Sequence, residues 1–173
     1  MKTLLTLIFI LSSTLSYSAG TDSGGNSSSG GYNSSSNDPK GPSSNNNVDV
    51  NIEYHRAKKL IYKKEYAKGL KILENIEDEK PFGYTKADLY NYMGFASRKQ
   101  KNPNYENAEN YYLKALSLDG DHIGALEYLG ELYFETNRED MARSLLDRLG
   151  IVAGESSNEY KELYNLLNWF LKK

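Results

Sequence analysis

The sequence predicts an all-α chain built as a stack of three helix hairpins closed by a seventh helix, and three observations lead there. Beyond the first 47 or so residues, apolar side chains recur at three- and four-residue spacing and no convincing strand alternation interrupts them. The stretch from Leu89 to Leu118, LYNYMGFASRKQKNPNYENAENYYLKALSL, has two such apolar faces with Gly94 in the first and Ala108 in the second. Some 34 to 36 residues later the order returns as LEYLGELYFETNREDMARSLLDRL, with Gly130 answering Gly94, Ala142 answering Ala108 and Leu149 near the place of Ala115. A fixed period of this length is the signature of a repeat array.

Composition narrows the function classes. Lys plus Arg number 21 against 23 Asp plus Glu, a balance that provides no strong field for nucleic acid or an anionic membrane. There is no Cys in the 173 residues, which excludes disulfides, thiolate catalysis, Cys-ligated zinc and a cysteine lipid anchor. Stability must therefore come from packing.

The amino end reads as an export signal followed by a tether. Met1-Lys2 supplies positive charge, Leu4 to Leu11 an apolar core too short to span a bilayer, and Ser16-Tyr17-Ser18-Ala19 small residues for cleavage after Ser18. Residues 1–18 are thus expected to be a signal peptide, and the product exported, periplasmic or secreted, without a stable membrane anchor. Residues 19–48 are Gly-, Ser- and Asn-rich with almost nothing to bury, so a disordered linker is expected, with an end-to-end distance of roughly 30 Å. The folding unit is then 49–173.

Three copies of the repeat can be laid down, over about 50–83, 87–122 and 123–154, followed by a capping helix over 156–172. The middle copy places Tyr90, Met93, Gly94 and Ser97 in its first helix and Ala108, Tyr112 and Ala115 in its second; the third places Leu126, Leu129, Gly130 and Tyr133, then Ala142, Leu146 and Leu149. The first copy diverges, with Ala57 where the others have Gly, Leu60 next, then Tyr66, Gly69, Leu73 and Ile76. Ala57 to Gly69 and Gly130 to Ala142 span 12 residues but Gly94 to Ala108 spans 14, which puts a two-residue insertion in the turn Lys101–Asn104. A small residue where two helices cross lets the backbones approach, and a large neighbour fills the groove beside it. Punctuation agrees: Pro81 and Gly83 close the first hairpin, Thr85 opens the next helix, Gly120-Asp121 marks the next join, Asn137 to Asp140 caps the last second helix, and Ser156 to Glu159 forms a capping box.

In NEYKELYNLLNWFLKK the residues Tyr160, Leu163, Tyr164, Leu167, Phe170 and Leu171 make one stripe, as a helix closing an open array requires. Leu166 and Trp169 widen that face. They either wrap the last repeat or form a second contact for a partner or for self-association.

These spacings resemble the tetratricopeptide repeat family over about residues 50 to 154. The resemblance implies a right-handed superhelical solenoid whose first helices line a concave, protein-binding groove. Carried over position by position, the groove residues are Tyr54, Lys58, Ile61 and Tyr62, then Asn91, Phe95, Arg98 and Lys99, then Glu127, Glu131, Phe134 and Glu135. The three Glu, four apart, share one helix face and make an acidic stripe, while Lys58, Arg98 and Lys99 leave the other end basic. Some family members clamp a peptide carboxy terminus with Lys, Asn and Arg. Glu in the third copy departs from that, so the expected ligand is a protein segment with Lys or Arg facing the stripe and an apolar residue against Tyr62, Phe95 and Phe134. A solvated acidic face is the plainer alternative.

No chemistry stands out. His55 and His122 lie in different repeats without Cys, Asp or a second His at ligand spacing, so neither a metal nor any other cofactor is expected. Ser is plentiful only in the linker, where no base could be held against it, and no Gly-rich phosphate loop follows a strand. The 15 Tyr mostly fall on the apolar stripes and default to packing. The expected function is a non-catalytic adaptor or scaffold of the cell envelope or periplasm, the alternative a structural component that self-associates through its terminal helix.

Overall fold

The computed structural model of the chain describes residues 49–168. The segments read as signal peptide and linker, and Trp169 with the rest of the predicted capping-helix end, lie outside the described residues. Within them the chain is all helical: α1 (Val50–Tyr62), α2 (Tyr66–Asn75), α3 (Lys86–Lys99), α4 (Tyr105–Leu118), α5 (Ile123–Glu135), α6 (Glu139–Ala153) and α7 (Asn158–Asn168).

Local sequence explains most of the helix starts. Asp49 accepts from the backbone N–H of Asn51 and Ile52 at 3.1 and 3.2 Å, and Asn104 accepts from Asn107 at 3.0 Å. Thr85 and Asp88 satisfy each other's backbone donors in a reciprocal capping box at the head of α3. Two expected caps differ. At α7 the capping oxygen belongs to Ser157, which accepts from Tyr160 N–H at 3.2 Å, one residue later than the Ser156–Glu159 box. At α6 no side chain caps the first turn: Asn137 takes the left-handed turn, φ 60°, and the acidic pair Glu139 and Asp140 face the positive end of the helix dipole instead.

Helices α1, α3 and α5 each pack on their successor, giving the hairpins α1/α2, α3/α4 and α5/α6. The turn of 100–104 is two residues longer than those of 63–65 and 136–138, which is where the register places the insertion. Hairpins join through α2 against α3 and α4 against α5, and α1, α3, α5 and α7 touch in series. The terminal helix therefore stands where the first helix of a fourth hairpin would stand.

Glycine marks the closest approaches. A Cβ on Gly94 would lie 2.6 Å from the Tyr112 ring, which is fully buried, and one on Gly69 would lie 2.6 Å from Ile61. Gly130 keeps the small-against-large logic with a different partner, because its added Cβ would stand 2.5 Å from Leu163 of α7. Around these crossings Tyr54, Ala57, Ile61, Leu73 and Met93 form one core cluster; Tyr112, Leu129, Leu146, Leu149, Leu163 and Leu167 form another. A small cluster of Ala87, Ala115 and Ala125 lies between, touching Tyr90 and Leu116.

Candidate partner-binding groove

The inner row α1, α3, α5 carries all the sequence-predicted groove residues, and each repeat uses four equivalent places. Counted from Ala57, Gly94 and Gly130, these lie three before and one, four and five after. The place three before is a seam, not an open surface: Tyr54, Asn91 and Glu127 are 3, 6 and 3% exposed. Geometry explains it, since this position faces the next inner helix. Tyr54 stacks on Tyr84 at 4.2 Å just ahead of α3, and Asn91 closes on Gly124 of α5, where an added Cβ would meet its Nδ2 at 2.9 Å.

The place four after is also largely inward. Ile61 and Arg98 are each 2% exposed, and only Phe134 stays half-buried against the last core cluster. The groove's reachable surface is left to the remaining two places, with Lys58, Phe95 and Glu131 half-buried beside Tyr62, Lys99 and Glu135. Tyr62 is the most open of them at 64%.

The charge pattern departs from the expected basic end and acidic end. Arg98 reaches across from α3 to α5, donating Nη1 to Glu135 Oε1 at 2.9 Å and Nη2 to Glu131. Lys99 Nζ stands 3.8 Å from the same two carboxylates. Two members of the acidic stripe are thus already matched by cations that a single-helix reading had set at the far end. Burial opposes the charge on Arg98, but Glu131, with Tyr112 and Glu135, outweighs it and holds the guanidinium firmly protonated. Lys99 is pulled below its ordinary value by burial and by Arg98. The third stripe member, Glu127, forms no ion pair among the described residues; burial first, then the charges of Glu131 and Glu162, push its carboxyl up to about 9.

Aromatic rings fill the space between these charges. Lys58 Nζ lies 5.4 Å from the Tyr54 ring and 4.9 Å from that of Tyr92, and the Tyr62 and Tyr92 hydroxyls meet at 3.1 Å. Phe95 sits between Tyr66 and Tyr128, at 6.2 and 4.9 Å, with Arg98 5.8 Å from the Tyr128 ring. Sequence reasoning passed over Tyr92 and Tyr128, although both stand two residues before the repeat glycine. That shared register was the available signal.

His122 lacks a ligand-type neighbour in sequence but has a carboxylate partner in space. Its Nδ1 accepts from Ala125 N–H at 3.1 Å to start α5, and its Nε2 lies 3.3 Å from Asp88 Oδ1 on α3. The hydrogen bond to His122, then those from Thr85, hold the Asp88 carboxyl well below the usual carboxylate range against the opposing effect of burial. The pair ties two hairpins together at their helix heads.

At the far end Leu163 and Leu167 are buried and Leu166 is half-buried against the last core cluster, while Trp169 lies outside the described residues. No helix among the described residues is long and apolar enough to cross a membrane.

Comparison with known proteins agrees with this geometry. Residues 101–167 match the family described as "Tetratricopeptide repeat". Among solved structures the fold resembles the crystal structure of PcrH in complex with the chaperone binding region of PopB, with a TM-score of 0.57 at 13% identity over 70% of this chain and 93% of that one. No curated protein matches the chain in sequence.

Proposed function

Because residues 101–167 are a tetratricopeptide-repeat segment within an array of that fold, we propose that the protein is a non-catalytic adaptor that holds a segment of another protein along the inner face of α1, α3 and α5. The observation that carries this reading is the run of rings and cations, exposed Tyr62 with half-buried Lys58, Tyr92, Phe95 and Lys99, kept at the surface of an otherwise packed helix row. The structural relative was solved with a partner's binding region, which supports the same mode of use here. The groove would take an extended or helical segment with apolar side chains against Phe95 and Tyr62, its polar groups meeting Lys58 and the paired tyrosine hydroxyls. The charged and apolar amino end favours action outside the cytoplasm.

A photo-crosslinking amino acid at Tyr62 in the native source should yield discrete adducts with a partner protein. The same group at Ile151, 86% exposed on α6, should not. Adducts of equal yield and identity from both positions would overturn the groove reading.

A further inference from the structure

The seam between α5 and α7 differs in kind from the two before it. Where the earlier seams bury Tyr54 and Asn91, this one buries Glu127. Its carboxyl and those of Glu131 and Glu162 bring oxygens to within 4.8 Å of one another. The charged groups facing this point are Glu131 on α5, Glu159 and Glu162 on α7, and Arg98 and Lys99 on α3. Both cations are engaged by Glu131 and Glu135, and no ion pair reaches Glu127 among the described residues. Carboxyl groups this close repel when ionised, more so where one of them is out of water. With Arg98 and Lys99 taken up by Glu131 and Glu135, a proton held between Glu127 and Glu162 is what relieves the repulsion at the buried position.

Helix α7 is also the element free to respond. Among the described residues it packs on α5 and α6 alone, through Leu163 against the Gly130 crossing, through Leu167, and through Tyr160 beside Gly150. We propose that α7 is a proton-gated cap: it seats on α5 while the Glu127 carboxyl holds a proton shared with Glu162, and lifts away when that proton is lost. Lifting bares Leu163, Leu167 and the Gly130 face at the end of the inner row, so pH controls how much apolar surface the array presents there.

The sign follows from linkage. The seated state holds Glu127 at about 9, above the ordinary value of about 4.3 that an exposed Glu takes. Seating is therefore strongest in acid, weakens as pH rises through neutrality, and is lost near the upper value.

Hydrogen exchange of the full chain, corrected for intrinsic rates and measured from pH 5.5 to 8.5, tests this. Protection in α7 should fall by a factor approaching ten per pH unit, the limit for release of one proton, while α3 stays protected. Glu127→Gln should flatten the α7 slope because it is neutral and can still donate. Glu162→Gln, at an exposed position, should shrink the slope and serves if the first variant fails to fold. A flat α7 profile in the parent, an unaltered slope in the variants that fold, or a matched decline in α3 would each overturn the proposal.

Discussion

Arg98 concentrates what a side chain can do across a repeat boundary. Its side chain is fully enclosed, and its two carboxylate partners come from the next inner helix. Replacing it with Met should leave Glu131 and Glu135 facing each other with only the more distant Lys99 as counter-charge, at a cost on the order of 3 kcal/mol. Urea unfolding reads that loss, and adding Glu131→Gln and Glu135→Gln to Arg98→Met should restore much of it. Asp88, bonded to His122, behaves differently because its carboxyl is held low in the folded state. Its stabilising contribution is therefore present above the ordinary carboxylate range and is lost as pH falls below it. His122→Ala should cost about 1 kcal/mol at pH 7, allowing for the partial exposure of Asp88. The gap between parent and variant in thermal midpoint should close toward pH 2 to 3. None of these partnerships was legible in the sequence. Arg98 and Glu135 are 37 residues apart, and periodicity reports which face of one helix a residue occupies, not which charge lies opposite on the next.

At the scale of the helix, the small positions were readable and their partners less so. Gly94 and Ala108 were placed at a crossing, and the structure sets Gly94 against the Tyr112 ring. Gly94→Ala gains roughly 1 kcal/mol of helix propensity but drives a methyl into a ring that is 0% exposed. Overpacking of this kind costs about 1 to 3 kcal/mol, so a net loss near 1 kcal/mol is expected in denaturant unfolding, and a larger one for Gly94→Leu. Gly130→Leu should act on a different element, loosening α7 before it disturbs the α5/α6 hairpin, which limited proteolysis can separate. The register of the glycines came from the repeat, but the terminal helix has no Gly of its own to mark its partner. Caps show the same divide: Thr85 with Asp88 is a local pattern and is read directly, whereas α6 starts from a left-handed Asn137 that no capping rule anticipates.

For the whole molecule, the period supplied the three hairpins, since a repeat that cannot bury its face alone must stack, and the apolar stripe after residue 156 supplied the seventh helix. The period also brought over four groove places per repeat, and half of those turned out to be internal. A position inherited by register says which neighbour a side chain faces, while its exposure depends on whether another inner helix covers it. Because α7 supplies that cover at the end of the row, Glu127 is sealed as Tyr54 and Asn91 are. A chain stopping at residue 154 should therefore expose the Glu127 carboxyl and return its titration, followed by carbon-13 NMR, toward the ordinary value.

The serial contact pattern has a mechanical corollary. Among the described residues no helix touches another more than two places away in chain order, so tension applied across the array passes through each hairpin in turn with no cross-brace to share it. Stretched in an optical trap, the array should not rupture in a single event. It should extend at low force in steps of about one hairpin, and re-form when relaxed, as a soft spring does.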